Sequence, residues 1–228
     1  MSSQRTNLID WRKGWLETHT GTNVALLVAV DGDFFDGSGH SFESEVSQEL
    51  RSLLENPTVR VEGIDPSTGA GGYGIGAIWE LVGHGADILA YVAAAVAAAP
   101  SIRKAVKYLA RRASRSAQTD VYLSGEAIKA LCVAELCEDG FPAASIERIE
   151  IIEHKYDPIE PTTEKQQLFS AYTVTIEGRQ RDGFYHVWSS LITCRGEVVG
   201  KGHARIPMPN ATQWSSISSG HEMLRALK

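Results

Sequence analysis

Hydrophobic and polar positions divide this chain into two halves with different periods. In the first, VALLVAV (Val24 to Val30) is an unbroken apolar run, as expected of a strand covered on both faces. A helical stripe follows: Phe42, Val46, Leu50, Leu53 and Leu54 recur at helical spacing, Ser41 is a good N-cap, and Asn56-Pro57 stops the turn. Thr58 to Ile64 then alternates, Val59 and Val61 against Arg60 and Glu62, which reads as a second strand. A strand–helix–strand unit of this length predicts a parallel pair with a right-handed crossover. Beyond a glycine cluster, about Ile75 to Arg115 reads as one or two helices broken near Pro100, and Asp120 to Leu123 as a short third strand.

The second half begins at Ser124. Ala127 to Cys137 is apolar almost all round, so its helix should be deeply buried, with Gly140 as the C-terminal cap. Four strand-like runs follow, Ile146 to Glu153, Leu168 to Glu177, Phe184 to Cys194 and Glu197 to Ile206. Leu168, Tyr172, Val174 and Ile176 alternate with polar residues, so one face is packed and one is wet. Short turns at Gly178 to Gly183 and Arg195-Gly196 make sequential neighbours antiparallel. The expected fold is α+β: a strand–helix–strand–helices unit, then a helix packed on a four-stranded antiparallel sheet. The expected boundaries are an N-terminal arm at 1–19, the first unit at 20–123, the second at 124–209 and a tail at 210–228. No internal repeat is present.

Composition narrows the class. A hydrophobic fraction of 43% and a charged fraction of 22% are those of a globular protein, and 228 residues suffice for a real core. The three cysteines, Cys132, Cys137 and Cys194, have no metal-type spacing and read as plain thiols in a reducing cytoplasm. The N-terminal stretch lacks an apolar signal-peptide core.

Charge changes the picture more. SIRKAVKYLARRASR carries Arg103, Lys104, Lys107, Arg111, Arg112 and Arg115 with no acid, inside a chain whose net charge is −6. Directly before it, across Pro100, lies the uncharged run ILAYVAAAVAAA (Ile88 to Ala99). Such an apolar-then-basic helix suggests a partner surface, and these six cations are the candidate partner-binding residues. The opposed reading is a surface helix with solvated cations, neutralised by Glu43, Glu45, Glu49 and Glu55 within the fold or between subunits. The chain's overall acidity argues against nucleic acid. Leu81 to Ala99 is long enough to span a bilayer, but Asp87 would cost about 3 kcal/mol there. A soluble protein with the 88–99 helix mostly buried is expected, and membrane contact is the weaker alternative.

Two further constellations are weighed. Gly69, Gly71 and Gly74 satisfy the glycine spacing of a dinucleotide-binding turn, although DPST intervenes after the strand and no acid follows a second strand at the required distance. Asp31, Asp33 and Asp36 in DGDFFDGSGH offer oxygens to magnesium or calcium, but miss the calcium-loop register by one residue. A close-packing glycine connector and a solvated turn are the plainer readings. Together these groups define the alternative function, a nucleotide- or metal-binding enzyme. The histidines show no HxxxH pair, and His186, on a strand face with Phe184, Trp188 and Ile192, reads as a satisfied core or interface residue. No catalytic motif nominates a nucleophile, so no catalytic residue and no cofactor are assigned.

From about Val24 to Arg112 the chain resembles the effector-associated constant component family of bacterial conflict systems. The resemblance rests on the order of an acidic loop after a strand, ELRSLLENPTVRV, a glycine-led start, and an Ala-rich helix ending in KYLARR. It implies a non-catalytic adaptor that accompanies proteases or other effectors, with no catalytic residue to carry over. The function expected is therefore a non-enzymatic adaptor or interaction module in a bacterial cytoplasm, binding an effector or a second copy of itself.

Overall fold

The computed structural model describes residues 23–30, 39–54, 59–64, 73–81, 87–115, 119–155 and 170–207. In chain order these form β1 (Asn23–Val30), α1 (Gly39–Leu54), β2 (Val59–Ile64), β3 (Tyr73–Glu80), α2 (Ile88–Arg115) and β4 (Thr119–Leu123). Then come α3 (Gly125–Glu138), a 3-10 turn (Ala143–Ser145), β5 (Ile146–Lys155), β6 (Ser170–Arg179), β7 (Phe184–Thr193) and β8 (Val198–Pro207). The α+β class holds, with α3 packed on the four-stranded antiparallel sheet β5-β6-β7-β8.

The first unit departs from expectation in its wiring. Its sheet runs β2-β3-β1-β4, and every neighbouring pair is antiparallel. β1 and β2 point the same way, but β3 lies between them, so they form no parallel pair. The missing element is β3, which sequence periodicity assigned to a helix. YGIGAIWE is too short to show a period, and Gly76, Ala77, Ile78 and Trp79 are buried in succession, so no polar face marks it as a strand. The order of elements and strands is that of the split β-α-β, or ferredoxin-like, arrangement.

Pro100 does not break α2. A proline inside a helix removes one hydrogen bond and crowds the carbonyl four residues back, at about 3 kcal/mol. Here that residue is Val96, and both it and Pro100 lie on the exposed face, where solvent can take up the freed carbonyl. On the opposite face Val92, Ala95, Ala99, Ile102, Ala105 and Leu109 are buried in helical phase on both sides of the proline. Continuous burial of one stripe outweighs the local defect. The helix over 88–99 is consequently not mostly buried, as its composition suggested. One face is in the core and the other, with Leu89, Ala93, Val96 and Ala97, is exposed.

α3 fits its sequence. Ser124 is its N-cap and accepts a hydrogen bond from the Ala127 N–H at 3.1 Å, while Gly140, at φ +94°, turns the chain out of the C-terminus. Gly125, Ala127, Ile128, Ala130, Val133 and Ala134 are all buried, because the helix packs against α2, β1, β5 and β6. Its small residues allow close approach from several sides. One hydrophobic core thus runs from Leu50 and Trp79 through α2 and α3 to Val174, Ile176 and Ile192. The Leu123 N–H also donates to the Cys194 carbonyl at 2.7 Å, which ties β4 to the β7–β8 turn.

Candidate functional site

Two places carry charged chemistry on this frame: the outer face of α2, and a histidine cluster where β7 meets β8. The first follows from helical geometry. Burial of the Val92–Leu109 stripe turns Leu89, Ala93, Val96, Ala97 and Pro100 outward, and the same face continues into Arg103, Lys104, Lys107, Ala110 and Arg111. It is apolar over its first three turns and cationic over the next three. By length and composition the Ile88–Arg111 section is also long and apolar enough to cross a membrane, and 33% of its most apolar stretch is buried in the fold.

The cations on this face are not equivalent. Arg103 donates from Nη1 to both carboxylate oxygens of Glu138, at 2.6 and 2.8 Å, and that hydrogen bond holds the Glu138 carboxyl below its ordinary range. It therefore helps fasten α2 to the end of α3. Lys104 and Lys107 are exposed and have no ion-pair partner among the described residues. An acid of α1 also reaches the helix, where Glu49 accepts a hydrogen bond from the Tyr108 hydroxyl. Arg112 and Arg115 belong to the same helix, with side chains outside those described.

Asp31, Asp33, Asp36, Gly69 and Gly71 lie outside the described residues. Gly74 sits inside β3, opposite Ala29 of β1 and Ile64 of β2. A dinucleotide turn places its glycines at the N-terminus of a helix, and here a paired strand occupies that position. Among the described residues no group of three or more His, Cys, Asp or Glu is arranged to hold a metal ion.

The second place joins residues that are scattered in sequence. His186 on β7 is buried, with its ring between two partners. Its Nε2 lies 3.1 Å from Oδ2 of Asp182, and its Nδ1 lies 2.9 Å from Nε2 of His203 on β8. The same Asp182 carboxylate accepts from Arg205 Nη2 at 2.9 Å and from the Phe184 backbone N–H at 3.0 Å. Partial burial works against its charge, but the Phe184 N–H, His186 and Arg205 outweigh this and hold its carboxyl below the usual range. Burial first, then the nearby His186 and Arg205, lower the proton affinity of His203. Trp188 stacks on both rings, 4.8 Å from His203 and 5.2 Å from His186, and Phe141 closes on Trp188 edge-on at 4.3 Å.

The reading of His186 as a satisfied buried histidine is correct as far as it goes. What sequence reasoning missed is its string of partners. The signal was present in β7 and β8, where His186, Trp188, His203 and Arg205 each fall on one parity of their strand. The register that pairs His186 with Arg205 and Trp188 with His203 was not readable from either strand alone. No protein-family model matches this chain, and no curated protein matches it.

Proposed function

We propose that this chain is a non-enzymatic adaptor whose docking surface is the outer face of α2, and that it works in a bacterial cytoplasm within a conflict system. The observation that carries the docking surface is the continuous exposed stripe from Leu89 to Arg111, apolar at one end and cationic at the other. Isolated exposed apolar residues are ordinary, but a run of them on one helix face, beside lysines with no ion pair among the described residues, is a surface in want of a partner. The complementary partner is a protein carrying an apolar patch beside acids. An effector protein is the preferred occupant, and a second copy of this chain, which is acidic outside this helix, is the other. The placement in a conflict system rests on the family resemblance alone.

A second reading, peripheral attachment to anionic lipid, draws on the same apolar-then-basic order. An exposed acid, Asp87, stands at the apolar end and is committed to the helix start, accepting from the Leu89 N–H at 2.9 Å. Negative charge where the apolar residues would enter favours a protein over an anionic membrane. Exchanging Lys104 and Lys107 for Glu tests the proposal, since both are exposed and neither makes an ion pair among the described residues. The native partner should co-purify with the parent chain and be lost from the double variant. Salt-sensitive flotation of the parent chain with anionic vesicles, and no protein partner, would replace it with the lipid reading.

A further inference from the structure

The hydrogens available to the β7–β8 cluster limit how many protons it can hold. The 2.9 Å contact between His186 Nδ1 and His203 Nε2 has room for one hydrogen. With both rings neutral, His186 donates from Nε2 to Asp182 and His203 donates from Nε2 to His186. With one added proton, the extra hydrogen sits on Nδ1 of His203, the contact between the rings still holds a single hydrogen, and the charge belongs to the pair. Both states satisfy every contact. A second proton leaves two N–H groups facing each other, and two positive rings beside Arg205 share the single carboxylate of Asp182.

We propose that Asp182, His186 and His203 form a one-proton switch, in which acidification drives His203 away from His186 and loosens β8 from the sheet. Geometry makes β8 the part that gives way. His186 is buried beneath Phe141 and opposite Gly178, whereas His203 is exposed on a strand that has a sheet neighbour on one side only among the described strands. Among the described residues the charged groups that face the pair are Asp182 from the β6–β7 turn and Arg205 from β8, and Phe141 and Trp188 are aromatic walls. Two residues along, Lys201 is held by Glu135 of α3 at 2.5 Å, which anchors the start of β8 and confines the opening to its middle and end. Opening uncovers the face of Trp188 that His203 stacks on. This switch stands apart from the outer face of α2 and does not depend on the docking proposal.

The test is hydrogen exchange of the full chain at about pH 7.5 and about pH 5.5, corrected for the intrinsic pH dependence of exchange, beside histidine nitrogen NMR over the same range. The amides of β8 should exchange faster at the lower pH by on the order of tenfold, while α3 stays unchanged. The His186 and His203 nitrogens should move together. His203→Gln keeps a donor for His186 but cannot take a proton, and its β8 should exchange equally at both pH values. Two results overturn the switch: β8 exchange in the parent chain that ignores pH, or a rise that persists undiminished in His203→Gln. The NMR arm is decisive without the variant, because protonation of His203 that leaves the His186 nitrogens unmoved would show the pair uncoupled.

Discussion

Gly178 and His186 are cross-strand partners on β6 and β7, and the missing side chain at 178 admits the lid that covers the histidine. A Cβ at that position would lie 2.1 Å from the Ser145 carbonyl oxygen and 3.1 Å from the tip of Phe141. The 3-10 turn and Phe141 can therefore close over the His186 end of the sheet only because residue 178 is glycine. Gly178→Ala should destabilise the protein by about 2–4 kcal/mol, since a backbone carbonyl cannot swing aside as a flexible side chain would. Gly202, on the open strand β8, has nothing within 4 Å of an added Cβ. Gly202→Ala should be neutral or stabilising by about 0.5 kcal/mol. Urea unfolding midpoints of the two variants check the contrast.

Tight packing around α2 and α3 depends on small side chains. Ala95 and Ala130 are fully buried in the common core, whereas Ala93 is exposed on the same helix as Ala95. Ala95→Leu and Ala130→Leu should each cost about 1–3 kcal/mol by overpacking, and Ala93→Leu should leave the melting temperature unchanged.

The thiols should be inert in the native state. Burial, with Glu135 nearby, pushes the Cys132 thiol up to about 12, and burial together with Glu138 also raises Cys137. Cys194 is buried and, like the others, in no disulfide. Because the thiolate is the reactive form, a disulfide reagent near pH 8 should label at most Cys137 in the folded protein and all three cysteines after denaturation.

Acid should weaken the fold in two stages. His203 binds its proton less tightly folded than unfolded, so its contribution is complete above about 6.5 and is lost as pH falls below that value. Asp182 has the opposite charge type and also a lowered affinity. Its contribution is present above the ordinary carboxyl range and disappears as pH falls through its depressed folded value. Melting temperatures followed downward from about pH 8 should decline first near the histidine range and again at strong acidity. The first decline should vanish in His203→Gln, and the second should shrink in Asp182→Asn.

The strands and helix of the second half were legible because each carries a clear signal. Leu168 to Glu177 alternates, Ser124 and Gly140 bracket an apolar helix, and Gly183 and Gly196 mark the turns. The first half hid its topology in β3, whose successive buried residues have no polar face and whose glycines mimic a helix-leading turn. Once β3 is inserted between β1 and β2, antiparallel to both, those two strands still run the same way but no longer pair, and the expected parallel pair fails. α2 misled in a second way. Pro100 looks like a stop from propensity alone, while the buried stripe that carries the helix past it depends on the sheet and α3 beneath.

The basic face was legible because Arg103, Lys104, Lys107 and Arg111 are consecutive on one helix. The division of labour within it was not, since Glu138, which ties down Arg103, lies in a different helix. The His186 cluster required the β7–β8 register and the β6–β7 turn before its members met.

The central claim is that the outer face of α2 is where a partner docks, and photo-crosslinking inside the native host tests it most directly. A photoreactive residue at Val96 or at Lys104 reports on the two ends of the exposed face, and one at Arg181, exposed on the β6–β7 turn, serves as the control. The docking account predicts the same protein adduct from both α2 positions, none from Arg181, and loss of the Val96 adduct when Lys104 and Lys107 are changed to Glu. Adducts from Arg181 with none from Val96 or Lys104, or lipid as the only species captured on α2, would contradict it.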